Sequence, residues 1–109
     1  MAFDPEGEVL ASAGDDCKIK LWNLSKKSQE ETLGKHEFSI NVITFSPDGK
    51  FLASGDDSGC FKIWDIKTKK NEVLKQHKKA VTSLSFTPDS KTLVSGSKDG
   101  NIILWKKQN

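Results

Sequence analysis

Serine, histidine and aspartate return together along the chain, and those are the residue types that nucleophilic hydrolysis needs. Ser12 and Asp16 come first, His36 and Ser54 follow, and His77, Ser95 and Asp99 come last. A hydrolytic triad occurs once in an enzyme, because one nucleophile, one base and one orienting carboxylate suffice. Here the set recurs with each copy of a longer repeat, which points to architecture. The two histidines are also poor metal ligands by spacing, lying a whole repeat apart with no cysteine or carboxylate at ligand spacing. The expectation is a chain with no catalytic residue, no metal and no cofactor, and not an enzyme.

The elements that must position these residues are legible as copies. Phe3 to Trp22 reads FDPEGEVLASAGDDCKIKLW, Phe45 to Trp64 reads FSPDGKFLASGDDSGCFKIW, and Phe86 to Trp105 reads FTPDSKTLVSGSKDGNIILW. Trp22, Trp64 and Trp105 set periods of 42 and 41 residues. A repeat of that length is the sign of a solenoid or propeller, whose units bury their faces only against neighbours.

Within each copy the apolar residues alternate, Ile19 and Leu21 against Lys18, Lys20 and Trp22, then Phe61 and Ile63 against Lys62 and Trp64. That period of two predicts strands. Pro5-Glu6-Gly7, Pro47-Asp48-Gly49 and Pro88-Asp89-Ser90 predict turns between them. Asp99-Gly100 is a hairpin signal, since glycine supplies the positive φ such turns need. Ser58-Gly59 keeps the glycine but Asp16-Cys17 does not, so Cys17 is expected to carry strain of roughly 1 kcal/mol. The linkers Asn23 to Thr44 and Asp65 to Ser85 each place one histidine nine residues before the next phenylalanine. This spacing gives four strands per repeat.

On these residues the chain resembles the WD-repeat β-propeller family, with blades of four antiparallel strands. Trp64-Asp65 is the family dipeptide, Trp22-Asn23 and Trp105-Lys106 are weaker forms of it, and Lys35-His36 and Gln76-His77 keep the histidine of the opening Gly-His pair. The resemblance implies an all-β fold of about 2.7 blades: residues 1–33, incomplete at the start, then 34–75, then 76–109, lacking an outer strand. It also implies a hydrogen-bonded set in each blade of histidine, Ser or Thr, a hairpin aspartate and tryptophan. Carried over, the set is complete in the third copy as His77, Ser95, Asp99 and Trp105. The second has His36, Ser54 and Trp64, with Ser58 where the aspartate would stand, and the first has Ser12, Asp16 and Trp22. On this pattern Ser58→Asp should be neutral or stabilising.

The chain carries 17 basic against 15 acidic residues, and every basic one is lysine. Without arginine, bidentate recognition of phosphate or base edges is disfavoured. Neither a signal peptide nor a long apolar run is visible, and mean hydropathy is −0.53, so a cytoplasmic or nuclear protein is expected, with no membrane contact. Cys17 and Cys60 should remain buried or half-buried thiols.

Fewer than three complete blades would leave two faces and the edge Asn101 to Lys106 unpaired, so further blades or copies of the chain are expected to complete the ring. The family resemblance implies a scaffold or adaptor that binds proteins or peptides through loops on one face. The matching positions are Glu37, Phe38, Ser39, Lys78 and Lys79 after the histidines, with Asp15, Asp57 and Lys98 in the hairpins. Phe38 is the leading anchor, because an aromatic in a polar loop is costly unless covered. The alternative reading is a polyanion- or RNA-contacting surface on Lys67, Lys69, Lys70, Lys75, Lys78 and Lys79.

Overall fold

The computed structural model describes residues 2–5, 7, 9–14, 16–23, 29–68, 70–74 and 77–106. Among the described residues, alternating apolar residues between turn signals give eleven strands and no helix. β1 (Ala2–Phe3), β2 (Val9–Ser12), β3 (Lys18–Asn23) and β4 (Gln29–Lys35) form a first antiparallel sheet in chain order. β5 (Ile40–Phe45), β6 (Phe51–Asp56), β7 (Phe61–Asp65) and β8 (Asn71–Leu74) form a second. β9 (Val81–Phe86), β10 (Thr92–Ser97) and β11 (Ile102–Lys106) form a third.

The strand period of two divides each sheet between two neighbours. In β7, Trp64 joins Ala11, Ile19, Leu21 and Leu33 of the first sheet in one core cluster, with Ile40, Phe45 and Leu52 of its own. Phe61 and Ile63 point the other way, into a cluster with Val81, Leu84 and Leu93 of the third sheet. The two cores are therefore interfaces between sheets, and the second sheet is packed on both faces. Its β6 is buried from Leu52 to Asp56. Two glycines mark how closely the sheets approach. A Cβ at Gly34 of β4 would collide with the Trp64 ring, and one at Gly59 with the His77 carbonyl.

The end faces differ from the middle. Ile102 and Leu104 of β11 stand where Phe61 and Ile63 stand in β7, yet they are 73% and 63% exposed against 0% and 4%. Trp22 lies half-buried on the opposite end face, where Ser12, Asp16, Lys18 and Lys20 share a shallow cavity with it.

Both turn families use left-handed residues. Gly7, Gly49 and Ser90 occupy one position at φ 74°, 74° and 63°, and Cys17, Gly59 and Gly100 the other at 65°, 94° and 84°. Ser90 has a compensation, because its buried hydroxyl accepts the Asp48 N–H of the second sheet at 3.1 Å. Cys17 precedes β3 and Cys60 precedes β7, so both thiols sit at hairpin ends, and neither is in a disulfide. The left-handed conformation costs a residue with a Cβ roughly 1 to 2 kcal/mol, partly offset by the greater freedom glycine has in the unfolded chain, roughly 0.5 to 1 kcal/mol. Cys17→Gly is therefore expected to hold or slightly raise the thermal midpoint measured by circular dichroism, and a clear fall would show that the thiol contributes more than the strain costs.

Candidate functional site

The polar centre of the second sheet is a continuous chain of hydrogen bonds. The Trp64 indole N–H donates to Ser54 Oγ at 2.9 Å. Ser54 Oγ meets His36 Nε2 at 2.6 Å, and His36 Nδ1 meets Asp56 Oδ2 at 2.9 Å. Asp56 Oδ1 then accepts the Ser58 hydroxyl at 2.6 Å, the Ser58 N–H at 2.9 Å and the Cys60 N–H at 3.1 Å. An ionised carboxylate only accepts, so His36 carries its proton on Nδ1, and Nε2 accepts the Ser54 O–H. Every donor in the run then has an acceptor. His36, Ser54, Asp56 and Trp64 are all buried.

Burial first of all drives the His36 pKa down, and the nearby Lys62 charge adds to this, while the hydrogen bond and charge of Asp56 pull it back up. The balance lies below the ordinary 6.5, which keeps the ring neutral at physiological pH. Burial pushes the Asp56 carboxyl up, but hydrogen bonds from Ser58, His36 and the Cys60 backbone together outweigh it and hold it below 3.8.

The second and third copies each depart from the expected set at one residue. In the second, the acceptor is Asp56, two residues before the position where the pattern places an aspartate, and Ser58 serves it as a donor. In the third, His77 Nε2 meets Ser95 Oγ at 2.9 Å, and Nδ1 meets Asp99 Oδ2 at 3.3 Å. The Lys78 N–H also donates to Asp99 Oδ2, at 2.9 Å, and this bond leads the effects that lower the Asp99 pKa to about 2. Trp105 stays outside that set: its half-buried indole makes no hydrogen bond among the described residues, and Ser95 Oγ donates instead to the Ile103 carbonyl at 3.3 Å. A half-exposed indole N–H can be met by water, so its omission costs little. In the first copy the Trp22 N–H donates to Ser12 Oγ at 3.1 Å, and Asp16 Oδ1 accepts the Lys18 N–H at 3.2 Å.

The described partner-binding candidates fall on one edge of the sheets, where the β4–β5 and β8–β9 loops meet the hairpins. The Asp57 N–H donates to the Ser39 carbonyl at 3.0 Å, the Lys98 N–H to the Ala80 carbonyl at 3.1 Å, and the Ile40 N–H to the Gly14 carbonyl at 3.2 Å. Glu37, Phe38, Asp57, Lys78, Lys79 and Lys98 are exposed and Ser39 half-buried, while Asp15 lies outside the described residues. Phe38 does not fold back into the core. It is 51% exposed and, with Glu37, Asp56, Ser58, Cys60, Lys62 and Val73, lines a cavity of about 370 Å³.

The lysines do not form one patch among the described residues. Lys67 and Lys70 lie in the turn before β8, Lys78 and Lys79 in the loop after it, at opposite ends of the strand, and Lys69 and Lys75 are outside the described residues. Asp65 of the Trp-Asp dipeptide holds that turn, accepting the Lys67 and Thr68 N–H groups at 2.9 and 3.1 Å.

The family model for the WD domain, G-beta repeat, matches residues 1–23, 27–65 and 68–106. The chain belongs to that family. Its matched units run one strand out of phase with the sheets: the unit 27–65 contains β4 to β7, whereas the second sheet contains β5 to β8. The units 27–65 and 68–106 therefore each straddle two sheets, while 1–23 holds only β1 to β3 of the first. No curated protein matches the chain. Repeats of this family generally mediate protein–protein interaction and complex assembly, and domains built from them are generally non-catalytic scaffolds.

The revised acceptor changes what substitutions should do. Asp56→Ala would leave a buried imidazole N–H and three hairpin donors without their acceptor, with an expected loss of about 2 to 4 kcal/mol. Ser58→Asp, neutral or better on the family pattern, would set a second carboxylate against Asp56 and is now expected to cost about 1 to 2 kcal/mol. Chemical denaturation of both variants checks this, and a Ser58→Asp chain at least as stable as the parent would restore the pattern's own aspartate position.

Acid should act in two stages. The folded pKa of His36 lies below 6.5, so the unfolded chain takes up that proton first, and stability falls as pH drops below 6.5 toward the folded value. Asp56 and Asp99 stabilise the fold above 3.8, and that contribution is lost as pH falls through their lower folded values, about 2 for Asp99. Thermal midpoints measured against pH should show the first decline in the parent, and its slope should flatten in His36→Gln; an unchanged slope would remove His36 as its source.

Proposed function

We propose that the chain is a non-catalytic adaptor module that binds protein or peptide through the loop edge around Phe38, and that its end faces pack on further blades or on copies of itself. The observation that carries the first part is the placement of Phe38. A large aromatic left half-exposed beside Val73, at the mouth of a cavity and on a loop hydrogen-bonded to a rigid hairpin, suits an interface anchor. The ligand chemistry it fits is an apolar side chain entering beside Phe38 and Val73, flanked by groups that can pair with Glu37 and Lys62. The second part is supported by the apolar face of β11, because Ile102 and Leu104 are exposed where the equivalent residues of β7 are buried.

The scaffold reading predicts how binding responds to salt. A bound protein recovered with the chain should lose about tenfold or more in affinity on Phe38→Ala at constant salt, the size typical of a buried aromatic anchor. It should change little when Lys67 and Lys70 are reversed to glutamate. Binding that survives Phe38→Ala but falls steeply with added salt and on lysine reversal would overturn this reading in favour of a polyanion surface. Calorimetry or surface resonance on the three proteins separates the two outcomes.

A further inference from the structure

The second blade departs from the repeat at two positions close together, and the fold brings both departures to one histidine. Asp56 stands where the third copy has Ser97 and the first has Gly14, and Cys60 stands where they have Asn101 and Lys18. His36 follows β4, Asp56 ends β6 and Cys60 precedes β7, so folding assembles residues that linear spacing keeps apart. His36 Nδ1 or Nε2, an Asp56 carboxylate oxygen and Cys60 Sγ all lie within 4.8 Å of one another.

We propose that His36, Asp56 and Cys60 form a binding site for a zinc-class divalent cation, with its remaining coordination position facing the cavity beneath Phe38. Imidazole nitrogen, carboxylate oxygen and thiolate sulfur are the donors a borderline-soft dication takes in tetrahedral geometry. With metal–ligand lengths of roughly 2.0 to 2.3 Å, tetrahedral donors sit roughly 3.5 Å apart. The Nδ1 to Oδ2 separation of 2.9 Å would open slightly, and a rotation of the Cys60 side chain would bring Sγ in. Asp56 and Cys60 line the cavity of about 370 Å³, which supplies an entry path and a place for water or the Glu37 carboxylate as the last ligand.

The protons balance. The cation takes the place of the proton shared between Nδ1 and Oδ2, and that ring proton moves to Nε2, where the Ser54 hydroxyl turns to accept it. The thiol proton leaves to solvent through the cavity. One carboxylate and one thiolate then neutralise the dication. Ser54 fixes the far side of the ring at 2.6 Å, the outer support that metal-bound histidines use. The opposing charge at the cavity is the Lys62 ammonium, held away by the Lys35 carbonyl at 2.8 Å and the Trp64 ring at 5.5 Å. The third blade offers His77 and Asp99 but no thiol, so it serves as an internal control.

The test is titration of the reduced, metal-stripped chain with cobalt(II), then with zinc(II). The expected result is intense visible bands of tetrahedral cobalt with a near-ultraviolet sulfur-to-cobalt band, both bleached by zinc. Cys60→Ser should lose the sulfur band and weaken zinc binding by about tenfold or more, while Cys17→Ser should leave both unchanged. Absence of the bands in the parent, their persistence in Cys60→Ser, or their loss in Cys17→Ser would overturn the assignment. A readout on the unmutated chain guards against a Cys60→Ser variant that fails to fold. Zinc should slow iodoacetamide labelling of Cys60 but not of Cys17, read by peptide mass spectrometry, and equal labelling with and without zinc would also overturn it.

Discussion

The hydrogen-bonded run from the Trp64 indole through Ser54 and His36 to the Asp56 carboxylate is the constraint on which the rest depends. It crosses the second blade from its core face to its loop edge, and each group in it would cost roughly 1 to 3 kcal/mol if left buried without a partner. Trp64 at one end packs on the first sheet over Gly34. Asp56 at the other end gathers the Ser58 and Cys60 donors and so shapes the hairpin. One histidine thus ties a β4–β5 loop to a sheet interface and to a turn.

That arrangement holds the loops beside the run in place for the binding proposed for them. Glu37 to Ser39 follow His36 directly, and the Asp57 N–H closes on the Ser39 carbonyl. A loop held from beneath by a buried imidazole and from the side by a hairpin has little freedom left to lose when a partner orders it, which is the advantage of a preorganised surface. The phase offset between matched repeats and sheets adds covalent links between sheets, since the units 27–65 and 68–106 each contribute strands to two neighbouring ones.

Much of this was legible in the sequence, and the parts that were not have identifiable physical causes. The Trp-to-Trp period, the alternation in β3 and β7 and the Pro-containing turns indicate an antiparallel strand array, and the left-handed conformation at Cys17 follows from its counterparts Gly59 and Gly100 in the other copies. Position in the repeat does not reveal Asp56, because an acceptor two residues earlier on the same hairpin reaches the same imidazole. The signal was present as the doubled aspartate of Gly55-Asp56-Asp57. The hydrogen bond that the pattern implies for Trp105 is not formed among the described residues, because type and spacing do not report burial, and an indole on the β11 edge is only half covered. The meeting of Cys60 with His36 was invisible for a different reason: ligand spacing read along the chain takes no account of strands that return.

The account's central claim is tested most directly by NMR of the ring nitrogens of His36 together with hydrogen exchange at the three indole N–H groups. The prediction is a neutral His36 with its proton on Nδ1 at pH 7, a Trp64 N–H strongly protected, and a Trp105 N–H that exchanges freely. A proton on Nε2 in the metal-free chain, or a Trp64 N–H that exchanges as fast as that of Trp105, would contradict it.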